Sequence, residues 1–254
     1  MTHADTPPSH PRYVSLAIRD RIVDGLRRGI TSEHGLLAHG RGEAFDYLVG
    51  ERTNDFAERA IEVAAARLLT ANQPVISVNG NTAALVPEGL VQLSRAVPAP
   101  LEVNLFHRSA LRENMIREFL LEHGADTVLM PSPDHTIGVD SNRRFVNPEG
   151  ILAADLVFVP LEDGDRCEEL RSIGKDVITV DLNPSSRTAI AATVAIVDNI
   201  VRALPRLLQC IANWKTTTSP GDLANLQRKY NNDSTLHEAR RRIVAGFSEP
   251  TNDG

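Results

Sequence analysis

Sulfur and aromatic side chains are scarce in this sequence. Its 254 residues include two cysteines, Cys167 and Cys210, which are too few for a disulfide framework. Neither cysteine belongs to a Cys/His cluster of the kind that binds a metal, so we expect both to be packing residues. Aromatic residues amount to 4% of the chain, which leaves few platforms on which single-stranded nucleic acid would stack.

Long apolar runs and blocks of like charge are also absent. No stretch approaches the roughly 20 apolar residues that a membrane-spanning helix needs. The N-terminal segment, MTHADTPPSHPRY, lacks the basic and apolar regions of a secretory signal. The formal net charge of -6 arises from interspersed charges, whereas nucleic-acid-binding proteins carry basic patches. We therefore expect a cytoplasmic protein that binds neither membranes nor nucleic acids.

The length of the chain fits one main domain with terminal additions, because it can bury a single substantial core. We expect a flexible N-terminus over residues 1–10 and the core over residues 11–214. After Trp214, the sequence TTTSPGD is typical of a linker. Residues 215–254 would then form this linker and a helical tail.

The hydrophobic periodicity changes along the chain. Residues 12–29 and 55–71 carry apolar side chains at helical spacing. Short apolar runs rich in β-branched residues follow at 74–80, 101–106, 126–130, 154–162, 175–183 and 193–199. Helical patterns separate several of these runs, which is the alternation expected of parallel strands joined by helices. The sequence therefore predicts an α/β fold: a Rossmann-like, mostly parallel sheet with flanking helices and additional N- and C-terminal helices.

Two segments do not fit this alternation. A polar, glycine-containing segment separates the two N-terminal helices, and residues 130–149 are rich in Pro, Asp, Asn and Gly. The second segment is typical of a long loop. It would be either a lid over the site or variable surface.

Polar residues follow the apolar runs, at the end of the sheet where open α/β folds bind ligands. They are the segment 79–82, Asn104 with His107 and Arg108, the segment 162–166, the segment 181–183, and Asp198 with Asn199. A sheet built only for stability does not need so many polar strand ends. We therefore expect a binding site there.

Two of these strand ends have more than one interpretation. In VNGNTAALVPEG, the glycine after Asn79 would let the backbone approach a phosphate, but an Asn-Gly pair is equally common in a structural turn. In PLEDGDRCEEL, Glu162, Asp163 and Asp165 surround Gly164, a composition suited to holding Mg²⁺ or to orienting an amine substrate. Alternatively, the aspartates cap the following helix.

The segments DLNPSSRT and HGRGEAFDYLVGE carry the remaining candidates. Asp181 suits a ribose hydroxyl or a metal, Asn183 suits hydrogen bonding, and Arg187 with Thr188 suits a phosphate. In the second segment two glycines flank Arg41, close to His39, Glu43 and Asp46. His39 is a candidate general base, although a lone histidine is more often structural.

Taken together, six segments resemble the archaeal phosphopantothenate synthetase family, whose members are also called 4-phosphopantoate-beta-alanine ligases. The segments are GLLAHGRGEAFDYLVGERT, PVISVNGNTAALVPE, EVNLFHR, VPLEDGDR, VITVDLNPSSRT and IVDNIVRALP. They occur in order from about residue 10 to residue 207. Ser185 stands where the family commonly carries leucine, and the run 193–199 lacks the more typical polar lead-in; neither change removes a proposed ligand.

The resemblance implies a cytoplasmic homodimer whose Rossmann-like core binds ATP and substrates. Such an enzyme condenses 4-phosphopantoate with β-alanine in coenzyme A biosynthesis, uses ATP with Mg²⁺, passes through an acyl adenylate, and releases AMP and diphosphate. The family positions that hold ATP correspond here to Arg19, Arg41, Asp181, Leu182, Asn183, Arg187, Thr188, Asn199 and Ile200.

The other roles remain hypotheses drawn from residue chemistry. We expect catalytic roles for Arg41, His39 and Asp165. The candidates for substrate binding are Asn79, Asn81, Asn104 and Arg108, and those for the metal are Glu162 and Asp163.

Three other functions compete with this interpretation. An AMP-forming ligase for another acid and amine would use the same ATP residues. A nucleotide-sensing module would keep the arginines without chemistry, although Glu162, Asp163 and Asp165 argue against it. A nicotinamide oxidoreductase is disfavoured because the sequence lacks GxGxxG.

Overall fold

The computed structural model describes residues 6–246. Residues 1–5 of the predicted flexible N-terminus, and residues 247–254 of the predicted tail, lie outside this range. Within the described range, no helix is both long enough and apolar enough to cross a membrane.

The chain forms six strands and eleven helices within the described residues, in the alternating order that the sequence predicts. The strands are β1 (Pro74–Val78), β2 (Leu101–Val103), β3 (Val128–Leu129), β4 (Leu156–Phe158), β5 (Asp176–Val180) and β6 (Val194–Ile196). The first helices are α1 (Tyr13–Arg27), α2 (Glu33–Val49), α3 (Asp55–Thr70), α4 (Gly80–Leu85), α5 (Pro87–Ala96) and α6 (Ala110–Glu122). The remaining helices are α7 (Gly164–Ser172), α8 (Arg187–Ala191), α9 (Ile200–Thr217), α10 (Pro220–Lys229) and α11 (Asn232–Gly246).

All five strand pairings are parallel, in the order β3-β2-β1-β4-β5-β6. This confirms the predicted Rossmann-like sheet. The order reverses direction between β1 and β4, and such a reversal opens a crevice at the carboxyl ends of the strands. The fold thus brings the polar residues after β1, β4, β5 and β6 to one edge of the sheet.

Two apolar layers cover the two faces of the sheet, because successive side chains of a strand point in opposite directions. Ile76 and Val78 of β1 belong to the larger layer, with α1, α3, α5, α6 and α9. Val75 of the same strand belongs to the smaller layer, with α7, α8 and α11. Both faces are therefore buried, which explains the near-continuous apolar runs of the strands.

Helix α2 was not predicted from hydrophobic periodicity, and it contains the segment with Arg41. Gly40 and Gly42 lie inside it, although glycine disfavours a helix interior by about 1 kcal/mol relative to alanine. Ser32 caps its start by accepting a hydrogen bond from the Gly35 N–H. At its end Gly50 adopts a φ of 92°, a left-handed conformation that glycine tolerates without strain.

The segment 130–149 is packed against the sheet. Ile137, Val139 and Val146 are buried in the smaller apolar layer, and a short 3₁₀ helix forms at Asn142–Arg144. The segment is therefore neither a free lid nor variable surface along its whole length.

Candidate active site

Two adjoining cavities lie beyond the carboxyl ends of the strands. The larger, of about 380 Å³, is named here the Arg41 cavity, and the smaller, of about 270 Å³, the Arg112 cavity. Their walls have four residues in common: Ala38, Asn81, Leu161 and Asp163. A more voluminous hollow, of about 810 Å³, lies between the start of α3 and α11, away from the strand ends. Only the first two cavities occupy the place where open α/β sheets bind ligands.

The Arg41 cavity gathers most of the residues that the resemblance assigns to ATP. Eight of the nine line it: Arg41, Asp181, Leu182, Asn183, Arg187, Thr188, Asn199 and Ile200. Arg19 does not line it, but its Nε lies 2.8 Å from Oε1 of Glu43, which does. This hydrogen bond raises the pKa of Arg19.

Helix α2 contributes Arg41 and His39 to the wall of this cavity. Arg41 is exposed and makes no ion pair with any residue the structure describes, so its charge is available to a ligand. Burial lowers the pKa of His39 below its ordinary value, against a weaker opposing effect of Glu43. His39 is therefore mostly uncharged at neutral pH, as a proton acceptor must be.

The turn after β5 is shaped by its own side chains. The Asp181 carboxylate accepts hydrogen bonds from the Asn183 N–H, at 2.9 Å, and from the Ser186 hydroxyl. Burial raises the pKa of Asp181, and these hydrogen bonds oppose the rise. Arg187 pairs with Glu168 at the surface, and the Thr188 hydroxyl donates to the Glu162 carbonyl. Several predicted ATP residues thus also hold the turn together.

A buried ionic cluster joins α2 to the start of α9. Asn199 caps α9 through the Val201 N–H and donates from Nδ2 to Oδ2 of Asp46, at 2.9 Å. Arg202 pairs with both Asp46 and Asp198. The sequence analysis missed this role of Asp46 and Arg202, although the four-residue spacing of Asp198 and Arg202 is typical of a helical ion pair. The cluster fixes α2, and with it Arg41, against the cavity.

Arg112 places an unneutralised charge on the smaller cavity. Its guanidinium donates to the backbone carbonyls of His107, at 2.7 Å, and Ile30, at 3.2 Å. Burial lowers its pKa, because carbonyl oxygens do not compensate for lost hydration of a full charge. The stacked rings of His34 and His107, 4.5 Å apart, lie on the same wall. Sequence reasoning did not single out Arg112, since no motif surrounds it.

The four predicted substrate residues separate into two pairs. Asn79 and Asn81 line the Arg112 cavity. Asn79 nevertheless uses its side chain to cap α4 and to donate to the Pro160 and Leu161 carbonyls. Asn81 Nδ2 donates to the Gly35 carbonyl, at 2.9 Å.

Asn104 and Arg108 line neither cavity, and their roles in substrate binding stay predictions. Asn104 is buried and donates to the carbonyls of Arg143, at 3.3 Å, and Phe145, at 2.9 Å. Arg108 pairs with Glu113 and lies over the Phe145 ring. Both residues hold the segment 130–149 in place.

Glu162 does not fit the predicted role of a metal ligand. Its side chain is 0% exposed, and its two oxygens form ion pairs with Nη1 of Arg143 and Nη1 of Arg166. Asp163 also pairs with Arg143, at 3.0 Å. Residues 6–246 contain no group of three or more His, Cys, Asp or Glu side chains that could hold a metal ion. The guanidinium groups take the place that a cation would need.

Asp165 lies in the first turn of α7 and lines neither cavity. The structure therefore does not bring it together with Arg41 and His39, the other two predicted catalytic residues.

Glu102, in β2, holds the segment 130–149 in place through hydrogen bonds. Its fully buried carboxylate accepts hydrogen bonds from the Asn147 N–H, at 2.9 Å, and the Ile151 N–H, at 2.6 Å. Burial raises the pKa of Glu102 to about 7, although both hydrogen bonds oppose the rise. A Cβ at Gly150 would approach a Glu102 oxygen to 2.1 Å, so only glycine fits there. Glu102 and Asn104 together hold the segment that carries Arg143.

We expect Glu102 to make the free energy of unfolding depend on pH. Because its pKa is raised on folding, its contribution is fully present below about pH 4.5 and is lost as the pH rises through about 7. A shift of this size amounts to about 3 kcal/mol. Urea unfolding at pH 5, 6, 7 and 8 should show a flatter profile for Glu102→Gln than for the unaltered protein. Glu118→Gln, at an exposed position, should keep the original profile; equal slopes for all three proteins would contradict the assignment.

Comparison with known proteins identifies similar chains over nearly the whole length. Residues 56–246 match the family model described as phosphopantothenate/pantothenate synthetase. A 4-phosphopantoate--beta-alanine ligase of Thermococcus onnurineus is 50% identical over 234 residues, which cover 91% of this chain and 89% of that protein. The ligase of the same name from Methanosarcina mazei is 49% identical over 235 residues, covering 92% of both chains. That of Methanospirillum hungatei is 46% identical and covers 92% and 94%.

Proposed function

Because the chain belongs to the phosphopantothenate/pantothenate synthetase family, we propose that it condenses 4-phosphopantoate with β-alanine at the expense of ATP. The reaction releases AMP and diphosphate and serves coenzyme A biosynthesis. The observation that carries the proposal is the pair of adjoining cavities, each with an arginine that forms no ion pair among the described residues. Two anionic substrates can thus meet at the wall that the cavities share.

We propose that ATP, as a substrate, occupies the Arg41 cavity. Its volume lies in the range of pockets that hold small-molecule ligands. Arg41 has no acidic partner among the described residues and would bind phosphate oxygens. Helix α9 begins at Ile200 on this wall, so the positive end of its dipole favours the same phosphates. The Asp181 carboxylate has further acceptor capacity for a ribose hydroxyl.

The Arg112 cavity would take 4-phosphopantoate. Arg112 and Arg143 both line it, and guanidinium groups match phosphate and carboxylate oxygens. Asn81, at the wall common to both cavities, lies where the carboxylate of this substrate has to approach ATP. The phosphate end would then lie toward Arg112 and the histidine pair.

The proposed chemistry takes place at the common wall. A carboxylate oxygen of 4-phosphopantoate attacks the α-phosphorus of ATP, and the bond from that phosphorus to diphosphate breaks. In the second half reaction the ammonium group of β-alanine releases one proton to solvent, and the amine nitrogen attacks the acyl carbon of the resulting acyl adenylate. The bond from that carbon to AMP then breaks, AMP leaves with the electron pair, and the nitrogen releases a second proton to solvent. Arg41 stabilises the negative charge that develops on the α-phosphate.

Neither cysteine fits the role of a covalent nucleophile. Burial raises the pKa of Cys167 to about 12, and it also raises the pKa of Cys210. A nucleophilic cysteine needs the opposite shift, because the thiolate is the reactive form. The proposed transfer of the acyl group from AMP to the amine therefore involves no intermediate bound to a cysteine.

Three further features belong to the proposal. Mg²⁺ would enter with the phosphates of ATP, since Glu162 is committed to arginines. The active protein would be a cytoplasmic homodimer, as the resemblance implies. Val14 of α1 and Leu37 of α2, 62% and 74% exposed, leave apolar surface available for a subunit contact.

The proposal predicts that AMP and phosphopantothenate appear together when ATP, Mg²⁺, 4-phosphopantoate and β-alanine are all present. Chromatography would measure the release of AMP and diphosphate, and mass spectrometry would identify the organic product. Pantoate, which lacks the phosphate, serves as the matched control acid and should react far more slowly. ATP binding without turnover would favour a sensor, and turnover with a different acid would favour another AMP-forming ligase; either outcome would overturn the proposal.

A further inference from the structure

Asp163 lies where the two cavities of the proposed active site meet. Four residues line both cavities, and among them Asp163 is the one with a carboxylate. It follows β4 at the reversal of the sheet and directly precedes α7. Any group at the meeting point of the two cavities therefore lies near this side chain.

The structure does not use the Asp163 side chain for its own secondary structure. Asp163 is the N-cap residue of α7, where aspartate commonly accepts a hydrogen bond from the first turn, but its side chain makes no such bond. The side chain is 46% exposed, and its one ion pair joins Oδ2 to Nε of Arg143. Its carboxylate thus remains open to the cavities.

The other carboxylates on the wall of the Arg41 cavity are engaged elsewhere. Glu43 binds Arg19, and Glu162 binds Arg143 and Arg166. Asp181 accepts from its own turn. Among the described residues, Asp163 supplies the only carboxylate on the wall of the Arg112 cavity.

A carboxylate that remains open to ligands is significant because both cavities are otherwise suited to binding anions. Arg41 and Arg112, which form no ion pair within residues 6–246, present positive charge to them. The amine substrate reaches the enzyme as an ammonium group, which such surroundings repel. A cation can be held there only next to a carboxylate, and it must lie at the common wall to reach the acyl carbon.

From this geometry we infer that Asp163 binds the ammonium group of β-alanine at the meeting point of the two cavities. The inference rests on the proposed ligase function and adds the residue that receives the second substrate. Asp163 takes part in the second half reaction and is dispensable in the first. Formation of the acyl adenylate involves no amine.

The two half reactions give a direct test with Asp163→Asn. The asparagine side chain keeps the size of aspartate and removes its charge, so we expect the wall to stay in place. We expect the KM for β-alanine to rise about 10- to 100-fold, the size of a lost charged hydrogen bond. The exchange of labelled diphosphate into ATP, which depends on 4-phosphopantoate alone, should stay within about threefold of the unaltered enzyme.

Hydroxylamine gives a second measurement, which distinguishes binding of the ammonium group from a structural role. A structural defect would lower the reaction with hydroxylamine as well. Hydroxylamine is uncharged at neutral pH and traps acyl adenylates as hydroxamates without needing a carboxylate partner. Asp163→Asn should therefore form hydroxamate at the normal rate. Asp140→Asn, an exposed residue that lines neither cavity, is the matched control and should leave all three measurements unchanged.

The outcomes separate the inference from the function on which it rests. If the unaltered enzyme shows neither exchange nor product, the proposed function fails. If Asp163→Asn keeps a normal KM for β-alanine, or loses exchange and hydroxamate formation as well while remaining folded by circular dichroism, the inference fails alone. Should this variant not fold, Asp163→Glu, which keeps the charge but moves it by one methylene, must show the same contrast between β-alanine and hydroxylamine.

Discussion

Replacing Arg41 by alanine is expected to lower AMP formation from ATP and 4-phosphopantoate by about 10²- to 10³-fold, as the loss of one preorganised donor to a charged transition state does. The proposed reaction puts additional negative charge on the α-phosphate. Arg41 lines the cavity proposed for ATP and has no competing ion pair among the described residues. Its guanidinium is therefore available to stabilise that charge.

The fold should survive this substitution. Arg41 is exposed on α2, and the helix is held by the buried cluster of Asp46, Asn199 and Arg202. The thermal unfolding midpoint of Arg41→Ala should accordingly stay close to the original value. Since turnover and midpoint are measured on the same sample, a folding defect cannot be mistaken for a catalytic one.

Arg41→Lys and Arg117→Ala complete the experiment. Lysine keeps the charge but not the planar pair of donors, so its rate should lie between those of arginine and alanine. Arg117 is partly exposed, lines neither cavity and pairs with the adjacent Glu118, so its loss should not affect AMP formation. Normal turnover by Arg41→Ala would exclude Arg41 from the chemistry.

Replacing Glu162 by alanine is expected to reduce the free energy of unfolding by about 3–5 kcal/mol, the usual loss when one partner of a buried ion pair is removed. Glu162 is enclosed between Arg143 and Arg166. Arg166 is itself completely buried, and burial lowers its pKa. Without the carboxylate, the hydrogen bond from Arg166 Nη1 to the Ser77 hydroxyl, at 3.1 Å, would not compensate for the buried charge.

Urea unfolding of the variant and of the double variant Glu162→Leu with Arg166→Met would test this explanation. Apolar residues of similar size often replace a buried ion pair with little loss. The double variant should therefore be more stable than Glu162→Ala. Glu122→Ala, at an exposed ion pair with Arg28, should change the unfolding free energy by less than about 1 kcal/mol. A small effect of Glu162→Ala would show that water reaches the arginines.

The parallel sheet was predictable because its evidence is local. Buried strands appear as short apolar runs, helices as residues at three- and four-residue steps, and each pattern spans a single element. The polar residues after the runs also followed from the sequence, since a parallel sheet places all carboxyl ends at one edge. The motif resemblance identified the residues of the Arg41 cavity in the same way, through segments that are each continuous.

Helix α2 and the packed conformation of the segment 130–149 were not predicted, because both depend on contacts with residues that are distant along the chain. Gly40 and Gly42 conceal the helical pattern of α2, which is stabilised by Asp46 through residues more than 150 positions away along the chain. The segment 130–149 is held by Glu102, in β2, and by Asn104, directly after that strand. Neither partner could be identified from a local pattern.

The sequence by itself determined the fold class, the family, and the edge of the sheet at which we propose the site. Only the tertiary structure decided which polar residues remain available to ligands. Glu162, Asp163 and Asp165 are neighbours of similar chemistry, yet one is locked between arginines, one faces both cavities and one lines neither. The reason is physical: the role of a charged side chain depends on which opposite charges lie within a few ångströms, and folding sets those distances.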